Sequence, residues 1–242
     1  LKEPIGVVSI ITPWNFPFLI VSQKLPFALA AGCTAVIKPS EMTPATTVIL
    51  GELLIEAGLP AGVVNIVLGY GDPVGTAMTA DKRVDMVTFT GSTGVGKAIV
   101  KAAAGTLKKV SLELGGKNPQ VIFPDADLES AVDAVVFGVY FNAGECCNSG
   151  SRIIVHEDVA EAFVARIVEV SRKVPFGDPL DPSTKVGAII TPGHQEKIDA
   201  YVQEAAKAGA DVRLGGGSLE VPGLAGQFYQ PTVVANVKGH MP

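Results

Sequence analysis

The chain has 242 residues and a formal net charge of −5, with 48% hydrophobic and 18% charged residues. This composition is typical of a folded globular protein and excludes a disordered tail, and the acidic balance without a long basic run argues against nucleic acid and anionic membrane surfaces as partners. No apolar stretch reaches the roughly 18 residues that span a bilayer, and three cysteines, two of them adjacent, favour a reducing compartment, so we expect a cytoplasmic protein.

The first half of the chain alternates short β-rich segments with helical patterns, which is typical of a parallel α/β sheet. The β-rich segments are apolar without strict alternation, as expected for strands that are covered on both faces. They predict strands at Val7–Ile11, Ala35–Ile37, Val63–Val67, Met86–Phe89 and Val110–Leu114.

Two helices are predicted between these strands. The first, Pro44–Ala57, begins with a proline that suits the first turn of a helix, and Gly58 follows its end. The residues expected to face the sheet follow the i, i+3, i+4, i+7 spacing and are Leu50, Leu53, Leu54 and Ala57. The second helix, Thr93–Ala104, begins directly after a Gly-Ser turn.

A second α/β unit is predicted after the pair Gly115-Gly116. Its elements in chain order are a strand at Gln120–Phe123, a helix at Leu128–Val139, a strand at Ser151–Val155, helices from Val159 to Lys173 and at His194–Ala208, and a loop at Gly215–Gly226. We therefore expect two domains, residues 1–114 and residues 115–242.

Two side chains suited to covalent chemistry lie on opposite sides of this boundary. Cys147 belongs to the segment Asn-Ala-Gly-Glu-Cys-Cys-Asn-Ser-Gly-Ser-Arg, and Glu113 begins the segment Glu-Leu-Gly-Gly-Lys. A thiol nucleophile and a carboxylate base are the groups needed to form and then hydrolyse a thioester. Taken singly, each has a structural alternative: a small buried hydrophobe for the cysteine, and a solvent-facing residue or a partner of Lys108 or Lys109 for Glu113.

A glycine-rich turn at Gly91–Gly96 suggests a cofactor that carries phosphate. It reads G-x-x-G-x-G, and Gly69–Gly75 likewise differs from the strict G-x-G-x-x-G fingerprint. Ser92 and the free N–H groups at the start of the following helix can still bind the pyrophosphate of a dinucleotide. Thiol, carboxylate and dinucleotide together predict the oxidation of an aldehyde to an acid.

Four sequence blocks resemble those of the NAD(P)-dependent aldehyde dehydrogenase superfamily, in the same order and at similar spacing. They are Pro13-Trp14-Asn15-Phe16-Pro17, Lys38-Pro39-Ser40-Glu41, Phe89-Thr90-Gly91-Ser92, and the segments around Glu113 and Cys147. The resemblance runs from about Pro4 to the C-terminus. It implies a Rossmann-like parallel-sheet cofactor domain at residues 1–114 and part of an α/β catalytic domain at residues 115–242.

The resemblance also implies catalytic roles. Cys147 is the expected nucleophile rather than Cys146, because the family places its nucleophile five positions before the arginine of Gly-Ser-Arg; Cys146 and Cys33 keep structural interpretations. Glu113 is expected to activate the hydrolytic water, with a pKa raised by an apolar wall from its leucine neighbours. Asn15 and the N–H of Cys147 would stabilise the oxyanion, although Asn15 alone could equally be a turn residue.

The implied cofactor is NAD, with NADP possible. Lys38 and Glu41 resemble the pair that holds the adenosine ribose, and an acidic residue there accepts bonds from the 2′-OH and repels a 2′-phosphate; the alternative is an exposed Lys–Glu pair. The residues expected to line the cofactor site are Ile11, Thr12, Pro13, Trp14, Lys38, Ser40, Glu41, Gly71, Gly75, Phe89, Gly91, Ser92, Val95, Leu114 and Gly115. No metal site is predicted.

Two other functions are compatible with this pattern. A CoA-acylating aldehyde dehydrogenase would release an acyl-CoA, but that branch generally lacks the base that Glu113 provides. A non-catalytic relative could keep the fold as a dinucleotide-binding or structural protein, but the intact Cys147, Glu113 and Asn15 argue against it. The sequence does not select one aldehyde substrate.

Glu145 departs from the family pattern, which usually has glutamine two positions before the nucleophile. An ionised Glu145 facing the thiol would raise the thiol pKa and slow attack. We expect this side chain to point away or to pair with a base such as Arg152.

The resemblance further implies that the chain is an internal fragment of a longer protein. The family's later Glu-x-Phe-Gly-Pro block, its N-terminal segment and its oligomerisation arm are absent from these residues. We therefore expect the chain by itself to bind NAD weakly and to turn over poorly, and its parent to be a homodimer or homotetramer that acts on a small aldehyde.

Overall fold

The structure is a computed structural model that describes residues 3–241. Its contacts divide the chain into two compact units, one ending at Gly115 and the other beginning at Gly116. Each unit has a hydrophobic core of its own. None of the helices among the described residues is both long and apolar enough to cross a membrane.

The first unit is built on one parallel sheet. Its strands are β1 (Val7–Ile11), β2 (Thr34–Lys38), β3 (Val64–Ile66), β4 (Met86–Gly91) and β5 (Lys109–Leu114). They lie in the order β3-β2-β1-β4-β5, and every neighbouring pair is parallel. The predicted α/β class with a parallel sheet is confirmed. Successive strands are added in opposite directions on the two sides of β1, and ligands bind outside the carboxyl ends of strands at such a point.

Among the described residues, five α-helices accompany this sheet. They are α1 (Pro17–Ser22), α2 (Leu25–Ala30), α3 (Ala45–Glu56), α4 (Thr76–Ala80) and α5 (Thr93–Ala104). Helices α1 and α2 were not predicted, and each has a proline in its first turn. Proline is tolerated there, since the first N–H groups of a helix have no intrahelical acceptor.

Helix α3 buries a narrower face than its sequence pattern predicts. Leu50 and Leu54 pack against the core and Thr47 is fully buried. The other two residues of the predicted stripe are exposed: Leu53 is 51% accessible and Ala57 lies past the end of the helix. The assignment of Leu53 and Ala57 to the buried face was wrong, because the contact with the sheet follows Thr47, Leu50 and Leu54 instead.

Side chains from the central strands fill the first unit on both faces of the sheet. Ile10 and Ile37 are fully buried on one side, and Cys33 packs in the same cluster at 5% exposure. Val87 and Ile99 belong to a second cluster beneath α5. Burial of the continuous apolar strand segments on both faces explains why they lack alternation.

The second unit contains smaller sheets and three longer helices. Its elements are β6 (Pro119–Ile122), α6 (Leu128–Tyr140), β7 (Arg152–Val155), α7 (Glu157–Ser171), α8 (Pro192–Lys207), β8 (Asp211–Leu214), β9 (Ser218–Leu219), β10 (Phe228–Tyr229) and β11 (Val233–Ala235). Strands β6 and β7 are parallel, whereas β8–β11 and β9–β10 are antiparallel pairs. Val132, Val135, Phe163 and Ile167 form the core between α6 and α7. The segment Gly215–Gly226 was predicted to be a loop, but it contains the short strand β9. This strand forms by pairing with β10, and its glycine-rich sequence has no pattern that predicts a strand.

Candidate active site

A cleft of about 640 Å³ opens at the carboxyl ends of the strands in the first unit. Its volume lies within the range of small-molecule and cofactor sites. The predicted cofactor residues that line it are Ile11, Thr12, Pro13, Trp14, Lys38, Ser40, Glu41, Gly71, Gly75, Phe89, Gly91, Ser92 and Val95. They follow β1, β2, β3 and β4, so the parallel sheet brings four separate sequence segments to one edge.

Leu114 and Gly115 were predicted to line the same site, and the structure does not place them in the lining of this cleft. The side chain of Leu114 packs towards α5 instead, where a Cβ added to Gly96 would lie 2.8 Å from Leu114 Cδ2. The glycine at position 96 therefore allows α5 to lie close to β5.

Lys38 is held at the end of β2. Its Nζ donates to the carbonyl oxygen of Pro39 at 2.8 Å and lies 3.5 Å from Glu41 Oε2. Because the Lys38 side chain is only 3% exposed, the alternative of an exposed Lys–Glu pair is wrong for the lysine. The Glu41 side chain is 39% exposed, so its carboxylate remains open to a ligand in the cleft.

The N-terminus of α5 lies at the same cleft. Ser92 caps the helix by accepting a hydrogen bond from Val95 N at 3.4 Å, and both residues line the cleft. The first turn of a helix carries unpaired N–H groups and the positive end of the helix dipole. This arrangement is suited to the phosphate groups of a dinucleotide, so the chain's own residues fit the cofactor that its sequence implies.

Phe89 and Gly91 make close contact across the turn that ends β4. Phe89 is 6% exposed, and a Cβ built on Gly91 would overlap the Phe89 ring.

We expect Gly91→Ala to push this ring into the cleft and to weaken dinucleotide binding by about tenfold or more, since overpacking costs about 1–3 kcal/mol. Titration of dinucleotide fluorescence checks this. The control is Gly105→Ala at the opposite end of α5, because a Cβ there makes only an ordinary contact of 3.7 Å with the carbonyl oxygen of Ala102. Equal affinity for the Gly91→Ala variant and the unmodified protein would contradict the packing argument.

Asn15 lies between β1 and α1 in the first unit and is half-buried. Two features fix the backbone around it. Thr43 Oγ1 donates to the carbonyl oxygen of Trp14 at 3.1 Å, and Pro17 is the first residue of α1. The end of a core strand and the start of a helix therefore hold this residue in place.

Glu113 is the penultimate residue of β5 and its side chain is exposed. The predicted apolar wall from its neighbours is wrong, because alternate residues of a strand point to opposite faces and Leu112 and Leu114 pack in the core beneath α5. Glu113 interacts electrostatically with Lys24. Burial lowers the pKa of Lys24, and the negative charge of Glu113 opposes that change. Lys108 is held elsewhere, since its Nζ donates to the carbonyl oxygen of Asp81.

Cys147 lies in the second unit, on the turn between α6 and β7, and its side chain is exposed. Its carbonyl oxygen accepts a hydrogen bond from Asn118 Nδ2 at 3.3 Å. Ser149 closes the turn by bonding through its N–H to the carbonyl oxygen of Cys146 and through its Oγ to that of Gly138. No hydrogen bond within residues 3–241 uses the N–H of Cys147, which leaves that donor available. Cys146 is less exposed, and its Sγ donates to Asn148 Oδ1 at 2.8 Å.

The backbone before the two cysteines is left-handed over three consecutive residues. Asn142, Ala143 and Gly144 have φ values of 52°, 57° and 75°. A left-handed conformation costs roughly 1–2 kcal/mol for a residue with a side chain, so the surroundings must stabilise this turn. Part of that support is local, since Glu145 N donates to the carbonyl oxygen of Asn142 at 3.0 Å.

Glu145 is a buried acid two positions before the candidate nucleophile. Its side chain is 7% exposed, Oε1 accepts a hydrogen bond from Ile190 N at 3.1 Å, and His194 Nε2 lies 3.7 Å from the same oxygen. Of the two predicted placements, the pairing with Arg152 is wrong, because Arg152 Nε donates to the carbonyl oxygen of Lys117. The carboxyl faces Ile190 at the start of α8 instead. Burial raises the pKa of Glu145 to about 7, and the bond from Ile190 opposes that change.

The raised pKa of Glu145 has a consequence for stability. Its pKa rises from 4.5 to about 7 on folding, so the folded state holds a proton that the unfolded state releases between these values. Stability from this group is present below pH 4.5 and is lost as the pH rises through 7, by up to about 3 kcal/mol. We expect Glu145→Gln to remove this loss. Chemical denaturation at pH 5 and pH 8 tests it, and an identical pH dependence in both proteins would contradict it.

The sequence profile described as "Aldehyde dehydrogenase family" matches residues 1–242. The chain belongs to the aldehyde dehydrogenase family. Among curated members, it is 45% identical over its whole length to a betaine aldehyde dehydrogenase of Bacillus subtilis and covers 49% of that protein. It is 47% identical over 240 residues to the human retinaldehyde dehydrogenase 3. This match covers 99% of the present chain and 46% of the human protein.

Solved aldehyde dehydrogenase structures have the same fold. A structure described as the NAD-dependent aldehyde dehydrogenase from Sinorhizobium meliloti matches with a TM-score of 0.96 and 53% identity, covering all of this chain and 47% of the other. A betaine aldehyde dehydrogenase from Staphylococcus aureus, solved in complex with NAD+, matches with a TM-score of 0.97 and 44% identity, covering all of this chain and 48% of the other. The predicted family and its Rossmann-like fold are confirmed, and the chain spans about half the length of the relatives it matches.

Proposed function

We propose that the protein oxidises an aldehyde to a carboxylic acid with NAD, using Cys147 as the nucleophile. The observation that carries this proposal is the cleft at the carboxyl ends of β1, β2, β3 and β4, which is lined by residues that the sequence predicts to bind a dinucleotide. The second unit supplies an exposed thiol on a hydrogen-bonded turn. We assign cofactor binding to the first unit and the covalent step to the second.

Attack by the Cys147 sulfur on the aldehyde carbon forms a thiohemiacetal. The thiolate is the reactive form of a cysteine, and the exposed position of the Cys147 side chain gives substrate access to it. The less exposed Cys146, which donates to Asn148, is suited to a supporting role in the turn.

Asn15 and the N–H of Cys147 are proposed to donate hydrogen bonds to the oxygen that becomes negative during attack. Both donors are fixed by the fold, Asn15 between β1 and α1 and the amide of Cys147 within its turn. Donors held in place before reaction need no reorganisation when charge develops, and removing one such donor costs on the order of 10²–10³ in rate.

NAD would be held by Ser92 and the N-terminus of α5 at its phosphates and by Lys38 and Glu41 at a ribose. When bound, it supplies the acceptor for the hydride that leaves the thiohemiacetal carbon. The open carboxylate of Glu41 favours a free 2′-OH over a 2′-phosphate, so we propose NAD rather than NADP.

Glu113 is proposed to remove a proton from the water that hydrolyses the Cys147 thioester and releases the acid. Its exposed carboxylate at the end of β5 is accessible to water, and a carboxylate is the usual side chain for general-base catalysis besides histidine. A base at this position also favours hydrolysis over transfer of the acyl group to CoA.

We further propose a cytoplasmic protein that assembles from identical subunits. All three cysteines are free, which suits a reducing compartment. Val121, Phe123 and Ile154 are exposed apolar side chains on and beside the two-stranded sheet β6–β7. Apolar sheet surface of this kind is usually covered by further chain or by a partner.

The 242-residue chain by itself is expected to turn over poorly, because it spans about half the length of its relatives. We expect it to bind NAD weakly and to show a reactive thiol without sustained NADH production. Measuring kcat for residues 1–242 tests this expectation. A rate comparable to that of a full-length relative would show that the site needs less of the fold than proposed.

The test of the proposed function is an NADH-production screen of the purified natural protein with a panel of aldehydes. The panel includes betaine aldehyde, an aminoaldehyde and retinaldehyde, after the relatives' names. We expect one acid per NADH without added CoA and a preference for NAD over NADP. A requirement for CoA would favour an acylating enzyme, a clear NADP preference would overturn the role of Glu41, and no NADH from any aldehyde would contradict the proposal.

A further inference from the structure

The turn that carries Cys147 begins in a conformation that its own sequence does not favour. Three left-handed residues, Asn142, Ala143 and Gly144, precede Glu145, and only the last of them is a glycine. Left-handed backbone at residues with side chains persists where the surrounding structure holds it. The residue that ends this segment is therefore the place to look for an external anchor.

Glu145 provides such an anchor over a long sequence distance. Its buried carboxyl accepts the N–H of Ile190, which lies directly before Thr191, the N-cap of α8. His194, in the first turn of α8, places Nε2 3.7 Å from the same carboxyl oxygen. A polar group buried to this extent and bonded to backbone is costly to leave without its partner.

The other end of the turn is held independently. Asn118 Nδ2 bonds to the carbonyl oxygen of Cys147, and Ser149 Oγ bonds to that of Gly138. These contacts connect the turn to the segment before β6 and to α6. The Glu145 contact connects it to the start of α8, so the thiol lies between anchors on different elements.

We propose that Glu145 is a positioning residue for the Cys147 thiol: its buried carboxyl holds the left-handed turn that carries Cys147 to the start of α8. The inference rests on the proposed role of Cys147 as nucleophile. Glutamine at position 145 would keep an acceptor for Ile190 N–H and lose the charge, whereas alanine would lose both.

Cys147 follows Glu145 by only two residues, so its Cα atom lies within about 8 Å of the anchored one. Release of the carboxyl from the start of α8 would let the left-handed segment relax and would move the thiol from its place on the turn.

Two measurements on the purified protein without substrate test the proposal. The first is the rate of Cys147 alkylation by iodoacetamide between pH 6 and pH 9, followed by peptide mass spectrometry. The second is amide hydrogen exchange of the peptide that contains Ile190. Both use the unmodified protein, Glu145→Gln, Glu145→Ala and, as the matched control, Glu157→Gln, which replaces an exposed glutamate in the first turn of α7.

We expect Glu145→Gln to match the unmodified protein in Cys147 alkylation and in exchange at Ile190, because glutamine keeps an acceptor for the Ile190 N–H. Glu145→Ala should exchange the Ile190 amide at least about tenfold faster and should alkylate Cys147 at a changed rate, and glutamine should rescue both. The Glu157→Gln control should match the unmodified protein in both.

The proposal is overturned if Glu145→Ala and the unmodified protein have the same alkylation profile across this pH range. It is equally overturned if Ile190 exchange in Glu145→Ala is unchanged. Neither readout needs aldehyde turnover, so a failure here is distinct from a failure of the proposed function, which is judged by the activity of Cys147→Ala.

Discussion

Replacing Cys147 with alanine is expected to abolish aldehyde oxidation, lowering kcat/KM by at least about 10⁴-fold. The methyl group of the substituted alanine cannot form a thiohemiacetal, so no covalent intermediate connects the aldehyde to hydride loss. Cys146→Ala is the matched control, because it removes the adjacent thiol and leaves Cys147 exposed on its turn. Steady-state NADH production with the best aldehyde of the panel measures both variants.

Cys146→Ala should keep most of the activity, at the cost of the bond from Cys146 Sγ to Asn148. If Cys146→Ala is the inactive protein and Cys147→Ala remains active, the nucleophile has been assigned to the wrong one of two adjacent residues. The roles proposed for Glu113 and Asn15 would then have to be re-examined relative to the sulfur of Cys146.

Glu113→Gln is expected to separate the two halves of the reaction. Acylation of Cys147 and one stoichiometric burst of NADH should survive, because neither requires an activated water. Steady turnover should fall by about 10²–10⁴-fold, the usual contribution of a general base, since the thioester would await unassisted hydrolysis. Rapid mixing with aldehyde and excess NAD measures the burst and the steady rate in one experiment.

The control for this experiment is Glu52→Gln, which changes an exposed glutamate on α3 in the same unit. It should behave as the unmodified protein does. An unchanged steady rate in Glu113→Gln would remove Glu113 from the mechanism, and loss of the burst itself would show that the residue acts before the thioester forms.

The elements with a continuous local signal were predictable from the sequence. Strand β1 and helix α5 have the bounds that the sequence predicts, because one is an apolar segment that only Ser9 interrupts and the other starts at a serine cap. The parallel sheet then brings the residues after β1, β2 and β4 to one edge. Most residues that line the cleft could therefore be anticipated from short segments that are far apart in sequence.

Features that depend on distant partners could not be predicted in the same way. Leu112 and Leu114 are sequence neighbours of Glu113, yet strand pleating turns them to the opposite face. Glu145 has a nearby arginine in sequence, but its carboxyl bonds to Ile190, which the fold alone brings close. Every residue except proline has a backbone N–H, so the type of residue at position 190 does not show that its N–H donates to Glu145. The sequence therefore could not predict this contact.

The most direct test of the central claim is the mass of Glu113→Gln after it is mixed with aldehyde and NAD. The account predicts one acyl group per active chain, formed together with one NADH and located on Cys147 by peptide mapping. Hydroxylamine should remove it, as expected of a thioester. An unmodified protein that has produced its NADH, or an acyl group located on Cys146, would contradict the account.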